Sequence, residues 1–193
     1  MRNLCPSVGT FLLAIILLAA PASAQAFASD PESDGFFWGV LDGVAFSGGT
    51  CQEFAGRLER SLSGLSNADL TRFAGAWARW WHDSYRWDLW GAAYLINGGA
   101  SDDGFNYFRG WLLTRGSDKW DHTSRDPDSA FDDVQPGTMA ECEDVLRALP
   151  TVYEARFQEG APEVGNREPL GTAWTEQDLP KRFPRLSHRF AGS

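Results

Sequence analysis

Between Trp87 and Ile96 the chain reads W-D-L-W-G-A-A-Y-L-I, apolar on nearly every side apart from Asp88. The run is well short of the roughly 20 residues a membrane span takes. A helix that is apolar all round belongs inside a fold, so the rest of the chain must wrap this stretch. Asn97-Gly98-Gly99 ends it, because glycine enters the left-handed C-cap conformation without steric penalty. Ser101 caps a following helix, and Asp102 and Asp103 sit where the positive end of a helix dipole favours carboxylates. That second helix carries Phe105, Tyr107, Phe108, Trp111 and Leu112 and is predicted to close at Gly116. The two helices form a tight hairpin. The fold class that follows is all-α, a single compact helical domain built around this central hairpin.

The flanking pattern agrees. Phe36, Phe37, Val40, Leu41 and Val44 follow helical spacing up to Gly48-Gly49. Thr50 with Glu53 makes a capping box for a helix whose core face is Phe54, Leu58 and Leu62. Ser66 and Asp69 repeat it more weakly, and Leu70, Phe73, Ala74, Trp77 and Trp81 then line one side of a long helix. Trp80 falls off that stripe and is expected at an edge or exposed. Ser117 to Asp133 is acidic, with brief helices expected around Asp126-Pro127. Thr138 and Glu141 predict a third capping box opening a helix through Cys142, Val145 and Leu146, which Pro150 kinks or breaks near Ala148-Leu149. Gly160 to Gly171 reads as loop. The close, L-P-K-R-F-P-R-L-S-H-R-F, has two prolines and cannot be one regular helix or a central strand. An extended C-terminal arm is expected, anchored by Phe183, Leu186 and Phe190.

The N-terminus has the three parts of an export signal: Arg2, the apolar run Phe11 to Ala20, and small residues at Ala22-Ser23-Ala24. Residues 1–24 are therefore read as a signal peptide, 25–35 as a flexible leader and 36–193 as the helical domain. An exported protein, periplasmic or extracellular, is expected, with no membrane association after cleavage. The net charge of −9 argues against nucleic acid and favours a cationic ligand or another protein as partner. Cys5 leaves with the signal. Cys51 and Cys142 form a disulfide or stay as two separately buried thiols. A bond between them would close a long loop, worth about 4–5 kcal/mol in the chain-entropy account.

Candidate chemistry centres on Arg109. It lies between Phe105 and Leu112 on the same side of the hairpin's second helix, which places its charge at or near the core. An unpaired buried guanidinium is too costly, so a carboxylate is expected nearby: Asp88 first, then Asp102 or Asp103. A buried Arg–Asp pair would lock the two helices in register. Alternatively Arg109 is the floor of a ligand pocket, with Asp88 or Asp103 handling a proton or a cation and Trp87, Trp90 and Trp111 as walls. In a third arrangement Arg109 snorkels to solvent. Asp102 and Asp103 point about 100° apart as consecutive helical residues, and capping explains both. No catalytic residue is singled out. His82, His122 and His188 are too widely spaced for a metal site, and no cofactor-binding motif appears. Among the nine tryptophans, an exposed Trp80 beside acidic surface would suit a protein interface or a cationic or sugar ligand. The other use of Trp80 is as a packing surface for the C-terminal arm.

The hairpin Y-R-W-D-L-W-G-A-A-Y-L-I-N-G-G-A-S-D-D-G-F-N-Y-F-R-G-W-L, Tyr85 to Leu112, resembles a mostly bacterial family known as domain of unknown function 4240. The likeness extends to Phe37-Trp38 and to the W-T-E-Q-D-L-P-K-R-F-P-R-L close. This chain departs from most relatives in its export signal and in Ala100, where cysteine is frequent. The resemblance implies a compact helical domain and brings no activity, cofactor or catalytic residue. The leading functional expectation is an exported protein-binding module, an inhibitor or immunity-type partner, that uses an acidic, tryptophan-rich surface. A carboxylate-based hydrolase or transferase with Arg109 at a pocket floor is the alternative, and a structural envelope protein is a third. A concave pocket enclosing Arg109, Asp88 and Asp103 would favour the enzyme. A convex apolar patch around Trp80 would favour the binder.

Overall fold

The structure, a computed structural model, describes residues 30–45, 49–162 and 168–191. The expected signal peptide, the first part of the expected leader and Gly48 lie outside the described residues. Within them the chain forms nine α-helices and no strand: α1 (Pro31–Ala45), α2 (Cys51–Ser63), α3 (Asn67–Asp83), α4 (Trp87–Asn97), α5 (Asp102–Leu113), α6 (Gly116–Arg125), α7 (Val145–Phe157), α8 (Leu179–Arg182) and α9 (Pro184–Arg189). The all-α fold around the α4–α5 hairpin is present.

Local chemistry explains most boundaries. Thr50 and Glu53 complete a reciprocal capping box on α2. The Ser66 side chain accepts from the Asp69 N–H, and the Ser101 side chain from the Gly104 N–H. Gly98 caps α4 in the left-handed conformation with φ of 70°. α1 starts at Pro31, so the end of the leader is helical. Asp30 Oδ1 accepts from the Ser33 N–H at 3.3 Å, and proline suits the first helical position. That cap lies ahead of the apolar stripe at Phe36 and is invisible to periodicity.

Four expectations need correction. Gly116 opens α6 rather than merely closing α5, and Asp42 on α1 binds the Ser117 N–H and hydroxyl at 2.8 and 2.6 Å. Thr138 and Glu141 cap nothing. Residues 138–144 are non-helical, so Cys142 precedes α7 instead of lying in its first turn. That segment is held by tertiary bonds: Ala140 N–H donates to Asn97 Oδ1 at 2.9 Å, and Cys142 N–H to the Tyr107 carbonyl at 2.9 Å. Its close approach requires Gly110, where a Cβ would meet the Cys142 carbonyl at 2.3 Å. Pro150 does not break α7, which runs on to Phe157. A proline loses one backbone bond and strains the preceding turn, and the buried face Val145, Ala148, Leu149, Val152 and Tyr153 outweighs that. The C-terminal segment is two short helices rather than an extended arm. Pro180 and Pro184 each sit at a helix start, where a missing N–H costs nothing. The anchors Phe183, Leu186 and Phe190 are buried.

Two cores result. One gathers α1, α2, α3 and α7 around Leu58, Phe73 and Trp77. The other gathers α4, α5, residues 130–134 and the C-terminal helices around Phe105, Phe108 and Phe183. Trp111 and Trp120 pack against both. A disulfide between Cys51 and Cys142, with Cα atoms 5.4 Å apart, ties the start of α2 to the segment entering α7.

Candidate functional site

Arg109 is 1% exposed, so the sequence pattern places it correctly in the core. Its partners are not carboxylates. Nε donates to Ser84 Oγ at 3.0 Å, Nη1 to Asn106 Oδ1 at 3.0 Å, and Nη2 to the Trp81 carbonyl. The guanidinium carbon stands 3.6 Å from the Trp81 ring centroid and 5.2 Å from that of Tyr85. Trp81 lies in the last turn of α3 and Ser84 is its C-cap. The cation thus occupies the negative end of a helix dipole, between the Trp81 carbonyl and aromatic faces. Burial pushes its pKa down to about 9, with Tyr85 acting weakly the other way. The group is charged at neutral pH.

The expected Arg109–Asp88 pair does not form. Asp88 takes its three close contacts locally, from Arg86 Nη2 at 2.6 Å, Arg86 Nε at 2.9 Å and the Leu89 N–H at 2.8 Å. A neighbour two residues away reaches it at less entropic cost than a residue on the next helix. Asp102 and Asp103 are exposed in the first turn of α5. Trp87 stacks on Trp90 and accepts the Trp174 indole N–H at its carbonyl. Trp111 packs on Phe108 and Phe131. None of Trp87, Trp111, Asp88 and Asp103 stands against Arg109, so the pocket-floor arrangement is not assembled.

Trp80 is also corrected: it is 5% exposed, and its neighbour Trp81 is the half-buried one. Helix α3 is covered on two sides. Trp80 faces α6, with its ring 5.5 Å from that of Trp120, while Trp77 and Trp81 lie nearly parallel on the flank towards α7. The cover comes from α6 and not from the C-terminal helices.

The flank of α3 towards α7 holds an apolar recess. Trp77, Ala78 and Trp81 form one wall, Leu146, Leu149 and Pro150 the other, and Gly160-Ala161-Pro162 one rim, enclosing about 400 Å³. That size falls in the usual range for a ligand site. Among the described residues of the lining, Glu154, exposed on α7, is the one that is ionisable. Its position one turn after Pro150 places it at the mouth. Arg109 braces the recess from behind, through Trp81. Sequence reading missed this site because its walls come from helices far apart in the chain. The one local clue was the adjacent pair Trp80-Trp81, which requires two packed sides of α3.

Among the described residues no three His, Cys, Asp or Glu side chains converge as a metal-binding group. No helix of the described residues is long and apolar enough to cross a membrane. Residues 33–155 match the model of a protein family of unknown function, DUF4240. Neither the curated proteins nor the solved structures give a match.

Proposed function

We propose that this chain, which belongs to the DUF4240 family, is an exported binding module that grips a cationic side chain of a protein partner in the α3–α7 recess. The observation that carries the reading is the recess itself: a tryptophan-walled cleft whose described lining holds one carboxylate, Glu154, at its mouth. An arginine or lysine side chain has matching chemistry. Its alkyl stem covers apolar surface while its head stays at the edge, over Trp77 and Trp81 and beside Glu154. The net charge of −9 favours encounter with a basic partner.

The recess replaces the convex Trp80 patch as the recognition element. Among the described residues the exposed large hydrophobics are Met139 and Leu170, which do not make a flat apolar patch. The hydrolase alternative needs carboxylates converging on Arg109, and Asp88 and Asp103 stand elsewhere. The recess reading is tested by filling the cleft. Ala161→Phe should abolish binding of an N-acetyl-Gly-Arg-Gly-amide peptide, followed by tryptophan fluorescence, while leaving the melting temperature unchanged. Undiminished binding by that variant would remove the recess from the account.

A further inference from the structure

A second cavity, about 130 Å³, lies on the opposite side of α3 and is independent of the cleft. It is lined by Asp34, Phe37 and Trp38 of α1, Ala76, Arg79, Trp80 and Asp83 of α3, and Trp120 of α6. Two hydrogen-bond donors of its lining are buried without an acceptor among the described residues, the indole N–H of Trp80 and the Nε–H of Arg79. Buried donors in native folds are nearly always satisfied, and an unsatisfied one costs about 1–3 kcal/mol. Two on successive residues, at one cavity, call for a visiting acceptor.

The surroundings restrict what that acceptor belongs to. The Arg79 charge is already matched, since its Nη2 meets Asp34 Oδ1 at 2.8 Å. Asp83 sits beside His82, with Oδ1 3.0 Å from Nδ1. An anion entering here would meet two carboxylates with no free cation in the lining, and a cation would leave both donors unanswered. A hydroxyl group accepts from a donor and donates to a carboxylate at once. A compact ring carrying several hydroxyls, with apolar C–H faces for the tryptophan rings, satisfies every group in the lining.

We infer that the cavity between α1, α3 and α6 is a binding site for a neutral saccharide unit, held by the Trp80 and Arg79 N–H donors and by the Asp34 and Asp83 carboxylates against Trp38 and Trp120. Asp34 is partly exposed and Asp83 exposed, so the ring enters at the surface and only its inner edge reaches the two donors.

The test is an NMR titration of the whole protein with glucose, galactose and N-acetylglucosamine, reading the tryptophan indole N–H resonances. The expected result is a saturable shift of the Trp80 indole signal by at least one sugar, with a dissociation constant on the order of millimolar. Trp80→Phe, which keeps an aromatic ring, and Arg79→Lys, which keeps the charge opposite Asp34, each remove one donor. Each should weaken binding about tenfold, the worth of one hydrogen bond. The proposal is overturned if no sugar moves the Trp80 signal at ~50 mM, a concentration far above such a constant. It is equally overturned if the shifts fall only on tryptophans outside the cavity, that is on none of Trp38, Trp80 and Trp120, or if Arg79→Lys binds as well as wild type. The wild-type titration decides the matter even if a variant fails to fold.

Discussion

A single buried cation makes the clearest case at the scale of one residue. The general cost of burying charge led to the expectation that Arg109 has a carboxylate beside it. The molecule meets that cost differently, with the C-terminal carbonyl of Trp81, the Ser84 hydroxyl, the Asn106 amide and the face of Trp81. Burial was legible, because position 109 continues the Phe105–Leu112 face. The partners were not, because a helix terminus offers acceptors that no residue letter announces. The distinction has a measurable consequence. Removing Arg109 leaves no orphaned carboxylate, only the neutral acceptors at Ser84, Asn106 and Trp81. Arg109→Met, which keeps the bulk, is expected to lose only about 1 kcal/mol in urea unfolding, the low end of the cost of stranding such a partner. Arg109→Ala should lose about 2–4 kcal/mol through the cavity left under Trp81. Equal losses in both variants would show that the guanidinium charge holds the fold.

Elements were legible in proportion to how local their causes are. The α2, α3 and α5 starts follow from Thr50, Ser66 and Ser101, and the α4 stop from Gly98. The segment at 138–144 carried a capping pattern and formed no helix, since its backbone is claimed by Asn97 of α4 and Tyr107 of α5. The prolines of the C-terminal segment punctuate it into two short helices, which periodicity could not anticipate. The disulfide belongs to this scale as well. It closes a loop across a separation of 91 residues, worth about 4–5 kcal/mol by chain entropy. A reductant, or the paired Cys51→Ala and Cys142→Ala substitutions, should lower the urea midpoint accordingly, and an unchanged midpoint would refute that role. A second link joins α6 to the turn after it, where Lys119 and Arg115 both meet Asp133. Burial pushes Asp133 upward, but the Lys119 hydrogen bond, the Lys119 and Arg115 charges and a backbone bond leave its pKa below the ordinary value of 3.8. The native state therefore holds this proton less tightly than the unfolded chain. The contribution is fully present above about pH 4 and is lost as pH falls through the lower folded value. Asp133→Asn should accordingly flatten the acid limb of a stability–pH profile measured by chemical denaturation. A profile parallel to wild type would exclude the link.

For the whole molecule, α3 is the organising piece. It belongs to the first core, its two faces carry Trp80 and Trp77–Trp81, and both candidate sites open along it. The tertiary sites were the least legible part of the chain, because each wall is contributed by a different helix. The central claim is that the α3–α7 recess selects a cationic side chain through Glu154. Its most direct test compares, by calorimetry at low salt, the affinity of the protein for N-acetyl-Gly-Arg-Gly-amide and for the same peptide with uncharged citrulline. The account predicts that the arginine peptide binds about fivefold tighter, the order of one exposed ion pair (~1 kcal/mol). That advantage should shrink with added salt and vanish in Glu154→Gln. Equal affinities for the two peptides would contradict it.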